Sequence, residues 1–131
     1  MIKLDYGFSK KVPYNYEEAL VKAADALKSE GFGILTEIDV KDTLKKKLNA
    51  ELKPYKILGA CNPPYAFKAL KEEEQIGLML PCNVIVFVNE NDETIVSAID
   101  PIASMSAVKN EKLGIIAEEI RNKLKNVIEN I

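Results

Sequence analysis

The stretch from Ile76 to Asp100, IGLMLPCNVIVFVNENDETIVSAID, constrains the fold more than any other part of this chain. Two runs rich in β-branched residues flank Asn89-Glu90-Asn91-Asp92, a quartet of turn formers, so the segment reads as a β-hairpin. Further strands are expected around it. Ile2, Leu4, Tyr6 and Phe8 alternate with polar or small residues, the period of a half-buried strand. FGILTEID, ending at Asp39, and YKILGAC, ending at Cys61, read as two more.

Helical patterns fill the intervals. Leu20, Ala23, Ala24 and Leu27 form one stripe, with Glu17 and Glu18 in the first turn and Gly31 closing the helix. Val40, Leu44 and Leu48 recur every four residues, and Asp39 stands where a cap belongs. A short helix is expected from Pro63 to about Glu73. The last helix carries Leu113, Ile116, Ala117, Ile120, Leu124, Val127 and Ile131 on one face. The expected order is β-α-β-α-β-α-β-β-α, an α+β, two-layer fold with a single mixed β-sheet and helices packed on it. At 131 residues the chain reads as a single domain, 1–131, with room for a core.

Composition removes several kinds of function. There is no histidine, so Ser-His-Asp and Cys-His nucleophile systems and histidine-ligated zinc are excluded within one chain. Two cysteines fall short of a four-thiolate zinc site, and no metal ligand set or cofactor is predicted. Net charge is −2 with the signs intermixed, and Arg121 is the single arginine, which argues against nucleic-acid binding. No apolar run approaches the roughly 20 residues that span a bilayer. The start MIKLDYGF lacks the features of a signal peptide, so the chain reads as cytoplasmic and without membrane attachment. The richness in Lys and Glu resembles a thermophile's surface.

Three strand-to-helix junctions look alike: Ile38-Asp39-Val40, Cys61-Asn62-Pro63 and Ile99-Asp100-Pro101. Asp39, Asn62 and Asp100 are all suited to accept a free helix N–H, and proline costs nothing at the first helical position. Capping needs no cysteine, so Cys61 is left over. A thiol just ahead of a helix start feels the positive end of the dipole, which favours thiolate. Cys82 follows Pro81, which implies a strand edge or bulge.

If the helix after Cys61 is a crossover between parallel strands, it returns the chain about 15 Å. A strand starting near Gly77 then climbs about 17 Å to Cys82. Cys82 is therefore expected level with Cys61, and Asp100 at the opposite edge. Both cysteines are equally well read as small buried hydrophobes. Glu37 and Asp39 share one strand face as a secondary carboxylate pair, and exposed carboxylates are the norm. Tyr65 stands one turn after Cys61 and is a candidate pocket residue.

From Gly31 onward the phrases GFGILTEIDV, LGACNPPYAFKAL, IGLMLPCNVIVF and VSAIDPIASM, in this spacing, resemble the bacterial and archaeal family called domain of unknown function 302. Positions matching the family pattern include Asp39, Cys61, Asn62, Pro63, Ala66, Leu70, Pro81, Cys82, Asn83, Asp100 and Pro101. The resemblance implies a single-domain α+β protein that commonly forms a homodimer, and it implies no established activity, substrate or cofactor.

Three functions remain open. The first is a dimeric binding module holding a small anion or soft ligand at the helix start, with Cys61, Asn62, Tyr65, Cys82 and Asn83. The second is a thiol redox or sulfur-transfer enzyme in which Cys61 attacks and Cys82 resolves. The third is a structural or interaction subunit without ligand, for which the long C-terminal helix is the candidate surface.

Overall fold

The computed structural model describes residues 1–131. The strands are β1 (Ile2–Leu4), β2 (Gly7–Val12), β3 (Gly33–Asp39), β4 (Tyr55–Cys61), β5 (Cys82–Val88) and β6 (Thr94–Ile99). The helices are α1 (Tyr16–Ser29), α2 (Val40–Leu48), α3 (Pro63–Glu72), the single turn α4 (Pro101–Ser104) and α5 (Glu111–Glu129). The strands make one six-stranded sheet in the order β1-β2-β6-β5-β4-β3.

The fold is α+β with helices packed on a single sheet, as the pattern requires, but the sheet is antiparallel throughout rather than mixed. The cause lies between β4 and β5. The segment Glu74–Met79 forms a 3-10 helix instead of beginning a strand. α3 carries the chain outward about 15 Å and the 3-10 helix brings it back about 12 Å. The segment is thus an excursion, not a crossover. Strand β5 begins at Cys82, after a cis Leu80–Pro81 bond, beside the point where β4 ended. The N-terminal alternation also divides, because Asp5 and Tyr6 turn the chain between β1 and β2.

The core lies on one face of the sheet. Phe8, Leu58, Val84, Val86, Val96 and Ala98 project there, and none is more than 3% exposed. Helix α5 covers them with Leu113, Ile116, Ala117, Ile120, Leu124 and Val127, all buried. Its apolar stripe is therefore consumed by the core, which removes the C-terminal helix as a free interaction face. Helix α1 lies beside it and adds Ala19, Ala23 and Leu27.

The other face is mainly apolar across its central strands, with Asn83 and Ser97 among the apolar residues and Lys11 of β2 beside Ile95. Outward positions of the central strands are Tyr55, Ile57 and Gly59 on β4, Asn83, Ile85 and Phe87 on β5, and Ile95, Ser97 and Ile99 on β6. None bears a charge, and the Tyr55 and Phe87 rings stack with centroids 5.1 Å apart. An antiparallel sheet with one face in water ordinarily alternates apolar-in and polar-out.

Capping divides the three junctions. The Asp39 carboxylate accepts the Asp42 N–H and the Asp100 carboxylate accepts the Ile102 N–H, each at 2.9 Å. Asn62 does not cap its own helix. Its amide Nδ2 donates to the backbone carbonyl of Glu30 at 3.1 Å, across the interior of the molecule. That carbonyl sits at the end of α1, where Gly31 has φ +86° and the Phe32 N–H donates back to the Leu27 carbonyl. The left-handed turn needs glycine, and it closes the helix in a Schellman arrangement. Asn62 therefore ties the C-terminus of α1 to the β4–α3 junction.

Because Asn62 is buried, its loss exposes the cost of an unpaired carbonyl. Asn62→Ala is expected to lower stability by about 1–3 kcal/mol in urea denaturation. Asn62→Asp, which sets a carboxylate against the Glu30 carbonyl, should cost more. An Asn62→Ala protein as stable as the parent would show that the tie contributes nothing.

Candidate functional site

At the end of the sheet where β4 stops and β5 starts, a cavity of about 320 Å³ opens between the sheet, α3 and α5. Ten of its thirteen lining residues are hydrophobic. Strand pairing builds it. Ala60 is the register partner of Cys82 and Cys61 the partner of Gly33, so both cysteines stand on neighbouring rungs at one end of the sheet. Both line the cavity, and neither is in a disulfide. They are brought to that end by antiparallel pairing instead of the expected parallel crossover.

The remaining walls come from several elements. Phe32 follows α1, Ala66 and Leu70 lie on α3, Leu80 precedes β5, and Ile120 reaches in from α5. On β3 the register slips between Ile34 and Thr36, which takes Leu35 out of the pairing. Such a bulge re-aims a side chain, and here Leu35 lines the cavity. Gly59 lets this corner close. A Cβ there would overlap Thr36 Oγ1 and come within 2.9 Å of Pro81 Cγ, and both of those residues line the cavity.

The two thiols differ in surroundings. Cys82 is 6% exposed, and burial, followed by the charge of Cys61, pushes its thiol up to about 11. Cys61 is half-buried and reachable from the cavity. The start of α3 offers an anion little. Pro63 and Pro64 have no N–H, and the Tyr65 and Ala66 N–H groups donate to the Asn62 carbonyl at 3.1 and 3.0 Å.

Cys61, Asn62 and Cys82 thus come together, and the other candidates do not. Tyr65 turns toward α5, with Lys123 Nζ 5.9 Å from its ring centroid and the Glu119 carboxylate raising its hydroxyl pKa. Asn83 points to the opposite face of the sheet from Cys82, where it lines a second cavity of about 350 Å³ with Tyr6, Ser9, Tyr55 and Ser97. Glu37 and Asp39 are exposed on the edge strand β3 and lie outside the cavity. Their charges, with burial as the larger cause, help to push Tyr16 up to about 12.

Asp100 corrects an expectation. It lies at the same end of the sheet as the cysteines, not the opposite one, because antiparallel β6 runs back alongside β5. It still takes no part in the cavity, since its carboxylate caps α4 and accepts from Arg121 Nε at 3.1 Å. The guanidinium of Arg121 also lies over the Phe8 ring, 5.3 Å from its centroid.

The apolar walls were not among the candidates read from the sequence. Phe32, Leu80 and Ile120 look like ordinary core positions when read singly. Ala66, Leu70 and Pro81 did carry a signal, since all three fall in the blocks that resemble the family. Leu35, 68% exposed, and Leu70, 44% exposed, are also large apolar residues that the core leaves uncovered.

No helix of the protein is long and apolar enough to cross a membrane. No functionally curated protein matches the chain in sequence. The crystal structure of an uncharacterized conserved protein DUF302 from Bacillus stearothermophilus superposes with a TM-score of 0.90 at 28% identity, covering 97% of this chain and 98% of that one. The family described as Domain of unknown function DUF302 matches residues 8–131, and the chain belongs to that family.

Proposed function

We propose that the protein is a small cytoplasmic binding module, paired as a homodimer, whose cavity beside Cys61 and Cys82 receives a compact ligand that is apolar or soft. The observation that carries this reading is an almost wholly apolar cavity of about 320 Å³ with two free thiols on its wall. Small-molecule sites are commonly concave and apolar, with a few polar groups that fix orientation. An anion suits the cavity less well, because the prolines at the start of α3 remove the backbone donors that would hold it.

The redox alternative asks Cys82 to act as a resolving nucleophile. A thiol held at about 11 is almost wholly protonated at neutral pH, which favours the binding role. The dimer is supported by the uncharged outer face of β4, β5 and β6. Those three strands, about 4.8 Å apart and some six residues long, present roughly 300 Å² in projection, so an interface of the standard about 800 Å² per partner would extend past them onto the neighbouring strands. Two identical uncharged faces can meet without repulsion, as sheets do in sandwiches.

Three experiments test this. In amide-resolved NMR titrations, benzene is expected to shift Cys61, Ala66 and Leu70, while inorganic phosphate leaves them unmoved. Ala66→Phe should abolish the benzene response by filling the cavity. Phosphate shifts at Tyr65 and Ala66 without any benzene response would return the site to an anion.

Alkylation by iodoacetamide tests the thiols. Raising Cys82 from 9.0 to about 11 should slow its reaction at pH 8 about 100-fold relative to a free cysteine. Its rate should climb until about pH 11. The raised value also means that Cys82 supports folding fully below the ordinary thiol range, and that this support is lost as pH rises through about 11. A Cys82 that reacts at the free-cysteine rate at pH 8 would revive the redox alternative.

Ile85→Lys tests the face, since Ile85 lies at the centre of the sheet's outer side. Light scattering after gel filtration should give twice the chain mass for the parent and the chain mass for the variant, with unchanged circular dichroism. A parent that runs as a monomer at all concentrations would remove the dimer.

A further inference from the structure

The outer face of the sheet has a recess of its own. The second cavity, of about 350 Å³, lies on the side away from α1 and α5 and shares no lining residue with the cavity beside the cysteines. Strand alternation fixes which side chains reach it. Ser9 pairs with Ser97, Ser97 with Ile85, and Phe87 with Tyr55, so all five stand on one face across β2, β6, β5 and β4.

Three rings line the recess. Tyr55 and Phe87 are stacked, with 24° between their planes. Tyr6, 65% exposed in the turn between β1 and β2, is the third. Burial, and then the charge of Tyr6, raises the Tyr55 hydroxyl pKa, so the two phenols lie close to one another. At Gly7 the lining is bare, because a Cβ there would come within 2.5 Å of the Ala98 carbonyl oxygen.

The polar groups are few and neutral. Ser97 Oγ donates to Ser9 Oγ at 2.8 Å, so the two serines largely satisfy each other. Apart from the tyrosine hydroxyls, the open polar group is Asn83, which is exposed on β5 and offers amide donors beside an acceptor. No lining residue is charged, and Lys11 on the same face is paired with Glu93 at 2.6 Å.

This chemistry selects an occupant. An ion would lose its hydration with no opposite charge to offset the loss. A sugar asks for more hydrogen bonds than one open amide supplies. A wholly apolar molecule would cover that amide and leave it unpaired. We infer that the recess binds a neutral aromatic molecule carrying one hydroxyl or amide group, phenolic in class, with its ring against Tyr6, Tyr55 and Phe87 and its polar group at Asn83. Aromatic pairs gain from offset and edge contacts, which these three rings offer. The inference stands on the residues of one chain and does not depend on the cavity beside the cysteines. The recess lies in the face proposed for the dimer, and two copies meeting there would close over the ring.

Amide-resolved NMR titrations of the full chain with phenol, toluene and glucose test it. Phenol is expected to shift Tyr55, Ser97 and Ile99, toluene to bind about fivefold more weakly for want of one hydrogen bond, and glucose to have no effect. Asn83→Ala, an exposed change, should bring phenol down to the affinity of toluene. Tyr6→Ala should weaken both ligands about fivefold. Ala66→Phe, which fills the other cavity, should leave these shifts intact, so the failure of one site is read apart from the other.

Equal binding of phenol and toluene by the parent would overturn the inference, and so would glucose shifts that match those of phenol. Phenol shifts confined to Cys61, Ala66 and Leu70 would overturn it and leave the apolar cavity standing. Shifts at Tyr55, Ser97 and Ile99 that follow protein concentration and ignore phenol would assign the face to a second copy alone, and would overturn it too.

Discussion

The pairing of β4 with β5 is the contact on which this structure depends. It closes a long excursion, from Asn62 through α3, the 3-10 helix and Pro81, by setting Ala60 opposite Cys82. Loop closure of that length costs entropy, and the ladder between residues 55–60 and 82–87 must offset it. Once the register is set, much else follows. Leu58 meets Val84 on the core face and Ile57 meets Ile85 on the other, because side chains alternate with a period of two. A slip of one residue would send Cys82 and Val84 to the outer face and empty the cavity of one of its thiols.

The same register produces the asymmetry between the two faces. Beneath α1 and α5 the sheet buries Leu58, Val84, Val86, Val96 and Ala98 almost completely. On the other side Tyr55, Ile57, Ile85, Phe87 and Ile95 are only half-buried, although they are equally apolar. Each fully buried side chain of this size contributes about 1.5–3 kcal/mol. Covering the second face would therefore be strongly favourable, and the proposed homodimer follows from that. Helix α5 has no such surplus, because its stripe is spent on the core.

Much of the fold was legible because it rests on local periodicity. The hairpin at Val84–Ala98, the stripe of α5 and the caps at Asp39 and Asp100 were readable from residue spacing alone. Asn62 looked identical to the two aspartates and behaves differently. Its amide carries a donor that a carboxylate lacks, and the Glu30 carbonyl at the end of α1 lies within reach. A partner so far away in sequence leaves no trace in local spacing. The site was half legible for the same reason: Cys61 and Cys82 stand out by type, whereas Phe32, Leu80 and Ile120 become cavity walls only once three separate elements meet.

By itself the sequence determined the α+β class, the places of α1, α2, α3, α5, β3 and β4, the absence of histidine chemistry and the two thiols as residues that capping does not need. Only the tertiary structure decided that every strand pairs antiparallel, that Asp100 shares an end with the cysteines, and that Asn83 faces away from them. Hydrophobic periodicity reports which side of an element is buried, and it is blind to which neighbour buries it. Strand direction hung on whether the segment after α3 turned back or crossed over. That choice shows only in the assembled chain, where Glu74–Met79 forms a 3-10 helix against α3 and Cys82 pairs with Ala60.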